Sequence, residues 1–568
     1  ASEAFNSGTT AMRRYMGEAL VLRSLSYFEL VRRWGDIPFK EGMSNSDLSN
    51  VYMGKINRDS IYACIVKDMQ EAIEYLPWVG EVADYNSERI TKGFAKGMLA
   101  RIALFAGGWS VRDGKEFPAN TSVERYPNAE QSPGMEEVGE YFIGRPANWR
   151  DYYEIAEQQC AEIIVDPDYG DIWKSVCGLK ANTYNENLFE VANGVGYSGD
   201  IGTLMGRAMD GNLGYGQRGF GGTYVSTNAY YFYSFDQNDA RRDYACYWPV
   251  YKKDGTIKEV MQNDIMSVRL GKWSFFWTAE SYRSIALTAT ARTPTGINWI
   301  VMRYPDILLM FAEARYMLGK GENSVSDVAG ISAARALEMV RERAFGSGSE
   351  AVMDYKKVDF FDAIVNERAW EFGGEGIRKL DLIRWGLLDS KIEEMKVAML
   401  YMLDGSHPIQ IFDKTYQPEE FPNKLYFKYD ENGEFIDFSS INFYTKRAAN
   451  PDEKVYTEVK WFPETYWNVK ETDINKDHSL IKNATKILVC ASGLRKSYDY
   501  SQLLGTLKYG SLIQDRLNGY KIGNGVCNYR HLFSIYYDDI YKSKGYLSNS
   551  YGSVSYTHLR AHETRRHL

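Results

Sequence analysis

Cysteine is scarce in this sequence of 568 residues, and long runs of apolar residues are missing altogether. No stretch approaches the roughly 18–20 consecutive apolar residues that a membrane-spanning helix needs. None of the six cysteines belongs to a Cys-x-x-Cys pair, so the ligand spacing that is typical of a zinc site is missing. These absences predict a chain without a spanning helix and without a cysteine-based metal site.

The short motifs that mark common enzymes are missing as well. The sequence contains no nucleophile elbow, no phosphate-binding P-loop, no HExxH motif and no dinucleotide fingerprint. Gly194–Gly199 is rich in glycine, but it lacks the lysine and the following helix that a phosphate loop requires. The net charge is −8 and no long basic run occurs in the body of the chain, which argues against nucleic acid as a partner. We expect no cofactor and no metal.

Aromatic residues, in contrast, are abundant and make up 14% of the chain. Tyrosine and tryptophan combine an apolar face with a polar edge, which suits a surface that stacks on sugar rings. Two clusters and one isolated residue are the candidates for carbohydrate binding: Tyr230, Tyr231, Tyr233, Trp273, Trp277, Tyr282 and Trp109. Arg283, Asn298 and Asp236 are candidates for polar contacts with hydroxyl groups. The alternative interpretation of each cluster is that its rings form the core of a loop region.

Helical periodicity dominates two parts of the chain, about 1–165 and 300–386. Apolar residues recur there at i, i+3, i+4 and i+7, as in Ile61–Leu76, and proline or glycine ends the stripes. Met12–Trp34 carries two apolar rows, which predicts neighbours on two sides. Over about 166–299 and 388–553 the periodicity fades, which predicts loops and short strands. The expected fold is mainly α, with degenerate tetratricopeptide-like hairpins that carry a loop-rich, aromatic half.

Three blocks of sequence resemble one known family in their order and spacing. Gly17–Pro38 resembles the N-terminal signature of SusD/RagB-like proteins, Arg303–Ala314 their central helix, and Glu367–Gly386 their most recognisable motif. Thr91–Arg101 and Phe235–Arg242 are weaker matches in the expected order. Together the blocks extend over two thirds of the chain.

The resemblance implies a fold with four tetratricopeptide-like units and a loop-rich half that faces the ligand. It also implies a non-catalytic protein that binds oligosaccharide or polysaccharide at the cell surface. The implied partner is a SusC-like TonB-dependent barrel of the outer membrane, which such a protein covers as a lid. A lipid anchor on an N-terminal cysteine is implied too, although this sequence does not contain that residue.

The charged residues of the third block leave other functions open. Glu367, Glu371, Glu375 and Asp381 could supply the acid and the nucleophile of a helical glycoside hydrolase. We favour a structural role instead, because Glu367 and Glu371 share a helical face and arginines stand nearby to clamp them. Further alternatives are a SusD-like protein that binds peptide or another nutrient, and a scaffold whose repeats hold peptides.

The two ends of the sequence look unlike natural termini. Ala1 opens directly into a predicted structured segment, without an initiator methionine or a signal peptide. Val554–Thr564 resembles the translation of a sequencing adapter, so we interpret 554–568 as an artefact. The expected organisation is one SusD-like domain over 1–553 that is incomplete at its N-terminus.

Overall fold

The computed structural model of the protein describes about three fifths of the chain. The described residues are 10–114, 123–126, 141–165, 186–194, 196–199, 201, 227–247, 250–253, 257–260, 268–273, 296–388, 390–392, 394–395, 398, 408–422, 424–444, 455–461, 532–533, 535, 539, 542–544 and 546–547. Trp277, Tyr282, Arg283 and the segment 554–568 lie outside them.

Helices provide most of the regular structure in the described ranges, which confirms the prediction of a mainly α fold. They are α1 (Thr10–Trp34), α2 (Arg58–Tyr75), α3 (Lys92–Ala106), α4 (Trp149–Ile164), α5 (Ala229–Ser234), α6 (Arg241–Ala245), α7 (Tyr304–Met317), α8 (Ala333–Phe345), α9 (Phe360–Phe372) and α10 (Arg378–Arg384). No helix among the described residues combines the length and the apolar character needed to cross a membrane.

Side chains at the helix starts explain where several of these helices begin. Asn57 accepts a hydrogen bond from a backbone N–H in the first turn of α2, and Thr91 and Ser332 do the same for α3 and α8. Such caps satisfy N–H groups that have no partner within the helix. The α9 helix ends at Phe372, directly before Gly373 and Gly374, as the sequence predicted.

Consecutive helices pack on one another in sequence order. The most extensive contacts join α1 with α2 and α3 with α4, followed by α4 with α7. The pairs α2 with α3 and α7 with α8 also pack together, and α7 contacts α9. The largest hydrophobic cluster lies between these helices and includes residues such as Ile65, Leu99 and Phe311, which are fully buried. The helical hairpins therefore form the base of the protein.

The longest helix, α1, buries only one of its two apolar rows. Val21, Phe28 and Val31 pack into the helical core, whereas Tyr15 and Leu22 on the other face are exposed. The prediction of neighbours on two sides was wrong for this helix within the described structure. An apolar row in a sequence shows that a face can pack, but it does not show that a partner element is present.

The strands are short and form small antiparallel sheets. They are β1 (Ser110–Asp113), β2 (Val123–Arg125), β3 (Tyr141–Pro146), β4 (Asn187–Val191), β5 (Cys246–Tyr247), β6 (Val250–Lys253), β7 (Ile257–Val260), β8 (Arg269–Leu270), β9 (Trp299–Arg303), β10 (Ile409–Ile411), β11 (Lys414–Tyr416), β12 (Lys424–Tyr429), β13 (Ile436–Asp437) and β14 (Thr457–Lys460). The sheets have the strand orders β1-β3-β2 and β13-β12-β14 and the pairs β4-β9, β5-β8, β6-β7 and β10-β11.

A second hydrophobic cluster joins α5 to strands β10–β14. At its centre the indole Nε1 of Trp461 donates to the hydroxyl of Tyr233 at 2.9 Å, and that hydroxyl donates to the carbonyl of Phe443 at 3.3 Å. Both aromatic side chains are fully buried. Because buried polar groups are costly without partners, this chain of hydrogen bonds orders the aromatic core.

Gly97 in α3 can be used to test how closely this helix approaches β9 and α7. A Cβ atom at Gly97 would lie 2.5 Å from Sδ of Met302 and 2.7 Å from Cδ1 of Ile307. We expect Gly97→Ala to lower the free energy of unfolding by about 1–3 kcal/mol, measured by chemical denaturation, because the core is overpacked. The control is Gly54→Ala, where no atom lies within 4 Å of the new methyl group. Equal stability of Gly97→Ala and the parent would contradict this packing.

Candidate functional site

The most exposed aromatic ring of the described residues stands on a glycine-rich turn after β4. Tyr197 is 92% exposed. The turn needs glycine on both sides of it, because Gly196 and Gly199 have φ values of 82° and 83°. At Gly199 a Cβ would also lie 3.0 Å from Cα of Gly296, so the close approach of the two segments excludes a side chain. The turn thus presents the tyrosine ring to solvent.

Hydrogen bonds attach this turn to the segment that leads into β9. The side-chain oxygen of Asn298 accepts from the backbone N–H of Asn193 at 2.8 Å, and the Asn193 amide donates to the carbonyl of Ile297 at 3.0 Å. The Asn298 amide also donates to Glu190 at 3.1 Å. Asn298, which the sequence suggested as a sugar contact, therefore holds the turn in place.

Two tryptophans stack next to the turn. The rings of Trp273 and Trp299 have centroids 5.1 Å apart and an interplanar angle of 19°. Trp299 pairs with Val191 at the end of the β4-β9 ladder and is half-buried, whereas Trp273 is buried beneath it. We call the set of Asn193, Tyr197, Asn298 and Trp299 the Tyr197–Trp299 surface.

The turn after α9 supports the tryptophan stack from below. The Trp273 indole donates to the carbonyl of Gly374 at 2.8 Å. Lys272 bonds to Glu375 at 2.8 Å, and the Arg303 Nε bonds to the same carboxylate at 2.9 Å. The β9 strand begins at Trp299 and ends at Arg303, so it connects the tryptophan stack to this turn. The turn after α9 thus anchors the surface without forming it.

Glu367 and Glu371 lie on the buried face of α9. Glu367 accepts hydrogen bonds from Arg241 at 2.6 Å and from Arg341 at 2.8 Å. Both of its oxygens are therefore engaged, and the residue has no exposed surface. This arrangement is the structural network that the spacing of the two glutamates predicted, with charge-assisted bonds between carboxylate and guanidinium.

Glu371 is surrounded by three arginines. Arg241 donates to it at 3.0 Å, and Arg303 and Arg343 form ion pairs with its other oxygen. Burial by itself raises the pKa of Glu371, but the three guanidinium groups outweigh burial and hold its pKa well below the ordinary range. The pKa of Glu375 is lowered against burial in the same way, chiefly by Arg303.

Asp381 belongs to a neighbouring network of the same kind. Arg368 and Arg384 donate to its two oxygens at 2.9 and 2.8 Å. Burial raises the pKa of Asp381, and the two arginines more than compensate and lower it. A general acid of a glycoside hydrolase needs a raised pKa and access to substrate. Glu371 and Asp381 are buried and have lowered pKa values, so they have neither property. The pKa of Glu375 is lowered as well, and Glu367 is buried away from any substrate.

The tyrosine cluster that the sequence singled out lies in the second hydrophobic cluster. Tyr230 and Tyr233 are buried, and the half-buried Tyr231 donates its hydroxyl to the carbonyl of Ala369 at 3.0 Å. The expectation of an exposed stacking surface is corrected for Tyr230, Tyr233 and the buried Trp273. The rings of Tyr230 and Tyr233 pack in the second hydrophobic cluster, and the ring of Trp273 stacks on Trp299.

The remaining candidates have different surroundings. Trp109 is half-buried, with the Arg145 guanidinium 4.3 Å from its ring centroid and the Tyr126 ring edge-on at 5.0 Å. Asp236 accepts a hydrogen bond from the backbone N–H of Asn238, which stabilises a turn. Trp277, Tyr282 and Arg283 lie outside the described residues. Within the described ranges, no three side chains of His, Cys, Asp or Glu are grouped so as to hold a metal ion.

The sequence interpretation missed Tyr197 and Trp299. Gly194–Gly199 was assessed only as a phosphate loop and then dismissed. The same glycine pattern with one tyrosine at its centre is a signal for a turn that exposes a ring. Trp299 had no such signal, because nothing in the sequence shows that it stacks on Trp273.

Burial of Trp273 leads to a prediction about stability. We expect Trp273→Ala to lower the free energy of unfolding by about 3–5 kcal/mol, because it removes a core aromatic and leaves a cavity. The control is Tyr197→Ala, whose thermal midpoint should equal that of the parent, since the ring is exposed. If Trp273→Ala melts like the parent, the described burial of this side chain is incorrect.

The ionised network predicts how stability depends on pH. The folded-state pKa of Glu371 lies below its unfolded value, so the carboxylate stabilises the fold above about pH 4.5. That contribution is lost as the pH falls from about 4.5 through the lower folded-state value. At pH 7, Glu371→Gln should cost about 3–5 kcal/mol, because three arginines lose a buried partner.

Denaturation at a series of pH values from neutral to acidic checks this prediction. The Glu371→Gln variant should lose less stability than the parent as the solution is acidified. Asp354→Asn is the control, since Asp354 pairs with Lys357 at the surface and such pairs contribute about 0–1 kcal/mol. Parallel pH profiles for Glu371→Gln and the parent would show that protonation of Glu371 is not what lowers the stability in acid.

Two family models match the chain. One is described as the SusD family and matches residues 147–485, which is more than half of the chain. The other is described as starch-binding associating with outer membrane and matches residues 3–104. The second description supports an association with the outer membrane.

Individual relatives carry the same family designation. SusD-like protein P25 of Formosa agariphila is 25% identical over 396 residues, which cover 67% of this chain and 65% of P25. SusD-like protein P2 of the same organism is 22% identical over 388 residues, which cover 67% of this chain and 66% of P2. The chain therefore spans slightly less than two thirds of the length of these relatives.

A solved structure shares the fold. The crystal structure of a SusD homolog from Bacteroides thetaiotaomicron aligns with a TM-score of 0.50 at 21% identity, and the alignment covers 72% of this chain and 76% of that one. The structural likeness agrees with the helical architecture described above. Because the family model extends over residues 147–485, the chain belongs to the SusD family.

Proposed function

We propose that this protein binds oligosaccharide or polysaccharide at the cell surface without hydrolysing it, and delivers it to a SusC-like TonB-dependent transporter of the outer membrane. Membership of the SusD family is the observation that carries this proposal, together with the family description as starch-binding. A lipid anchor would hold such a protein at the membrane. Peptide or another nutrient is the alternative ligand.

The Tyr197–Trp299 surface is the place where we propose that the glycan binds. Its exposed tyrosine ring offers a flat apolar face to a pyranose ring, and the half-buried Trp299 adds part of an indole ring. The side chains of Asn193 and Asn298 hold the turn that carries the tyrosine. A rigid turn reduces the entropy that is lost when a ligand is bound.

The state of the motif carboxylates supports a non-catalytic role. Glu367 and Glu371 are buried and bonded to arginines, so neither can approach a glycosidic oxygen. Their bonds stabilise α9 instead. This observation disfavours the glycoside hydrolase that the sequence alone left open.

One carboxylate near the proposed surface has a raised pKa, which is one of the two properties of a general acid. Burial raises the pKa of Glu190, whose carboxylate accepts from the amides of Asn187 at 2.8 Å and Asn298 at 3.1 Å. Glu190 is itself buried, and a hydrolase would need a second carboxylate on the opposite side of the scissile bond. Hydrolysis is tested by measuring the reducing ends that the parent and Glu190→Gln release from plant and host glycans, and we expect no release above background.

Binding is tested by titrating the chain with a panel of plant and host oligosaccharides and with peptides in a calorimeter. We expect Tyr197→Ala to weaken glycan binding by roughly ten- to a hundred-fold, which is about 1–3 kcal/mol for one aromatic anchor. Trp299→Ala should weaken it as well. The matched control is Tyr15→Ala, because Tyr15 is an exposed tyrosine on α1, away from β4 and β9.

Three outcomes would contradict the proposal. Unchanged glycan affinity of both Tyr197→Ala and Trp299→Ala would remove the proposed surface. Binding of peptides in place of glycans would reassign the ligand. Steady release of reducing ends that disappears in Glu190→Gln would make the protein a hydrolase.

A further inference from the structure

A small cavity with a cationic wall lies between α1, α3, α7, α9 and α10, away from the Tyr197–Trp299 surface. Its volume is about 10 Å³, so it has room for a single small occupant. Arg32, Arg101, Arg368 and Arg384 line it, with Asp381 as the only acidic side chain in its wall. The rest of the wall is apolar. Four guanidinium groups line one small cavity, so their positive charge has to be balanced by negative charge nearby.

Three of these arginines are neutralised by carboxylates outside or at the edge of the cavity. Arg101 bonds to Asp306, and Arg368 bonds to Asp306 at 2.6 Å and to Asp381 at 2.9 Å. Arg384 bonds to Asp381 at 2.8 Å and to Glu313 at 2.8 Å. Three positive charges thus face three negative charges.

Arg32 differs from the other three. Its Nε donates to Glu29 at 3.0 Å and its Nη2 pairs with the same carboxylate. Its Nη1 is buried and has no hydrogen-bond partner among the described residues. The whole side chain is only 7% exposed. The rings of Phe28 and Phe105 lie 4.7 and 5.7 Å from the guanidinium carbon. A buried N–H donor without an acceptor is costly.

Among the described residues, the charge of Arg32 is only partly compensated. Glu29, the carboxylate partner of Arg32, is one-third exposed and is shared with Arg33, so one negative charge serves two arginines. Burial, together with repulsion from Arg101, lowers the pKa of Arg32 to about 9, despite opposing effects of Tyr62 and Asp381. A buried cation whose carboxylate partner is shared and partly exposed is stabilised by a further negative charge nearby.

We propose that this cavity binds one monatomic anion of the chloride class, which accepts a hydrogen bond from Nη1 of Arg32. A water molecule would satisfy the donor but would leave the excess positive charge in place. Sulfate and phosphate are larger and more strongly hydrated than a halide, so the small volume and the partly apolar wall disfavour them. A halide satisfies both the donor and the charge, and the apolar part of the wall suits a weakly hydrated ion.

The site has a structural consequence. Arg32 belongs to the last part of α1, whereas Arg101 lies on α3 and Arg384 on α10. An anion between them attaches the first helix to the helices that carry the buried ion networks. Chloride should therefore stabilise the fold, and it should do so through Arg32.

Crystals of the full chain soaked in sodium bromide test the site directly. We expect an anomalous bromine peak in the cavity within contact distance of Nη1 of Arg32. Absence of that peak, when other surface sites in the same crystal show bromine, would overturn the proposal. A cavity that contains only water would do the same. This experiment needs no variant and is independent of glycan binding.

Thermal melting provides the second test. At constant ionic strength, replacing gluconate by chloride should raise the midpoint of the parent by roughly 1–2 °C for each tenfold increase above the dissociation constant. Arg32→Met should lose this response. The matched control is Arg335→Met, which removes an exposed arginine of α8 that pairs with Glu342 and does not line the cavity. An equal chloride response in Arg32→Met and Arg335→Met would contradict the assignment.

Discussion

The burial of two glutamates on one face of α9 is the constraint on which much of the structure depends. An ionised carboxylate in the protein interior is tolerated only when cations and donors surround it. Glu367 and Glu371 therefore require arginines from three other elements: Arg241 from α6, Arg303 from β9, and Arg341 and Arg343 from α8. Helices and strands that are distant in the sequence are thereby held in a defined relation to α9.

The same network determines where the proposed binding surface lies. Arg303 connects Glu371 and Glu375 to β9, and β9 begins at Trp299. The turn after α9 in addition accepts a hydrogen bond from Trp273. A motif whose charges resemble an active site thus acts as the support of an aromatic surface. Its residues determine the position of β9 and so of Trp299, which belongs to the proposed surface.

The aromatic clusters show why a binding site is difficult to infer from composition. A tyrosine that stacks on sugar and a tyrosine that fills a core have the same side chain, and the difference lies in what surrounds it. Tyr233 is enclosed because Trp461, far away in sequence, donates to its hydroxyl. Tyr197 is exposed because a turn that contains two glycines with positive φ places its ring on the surface. Local density of aromatics predicted the first as a site and overlooked the second.

The sequence by itself determined the helices and the family. Periodic apolar residues specify helix faces, and local caps and glycines specify ends such as that of α9 at Phe372. These features depend on neighbours along the chain and can be read from it. The tertiary structure alone decided which rings are exposed, which row of α1 is covered, and that Arg32, Arg101 and Arg384 meet at one cavity. Those outcomes depend on contacts between residues hundreds of positions apart, and no local pattern records such contacts.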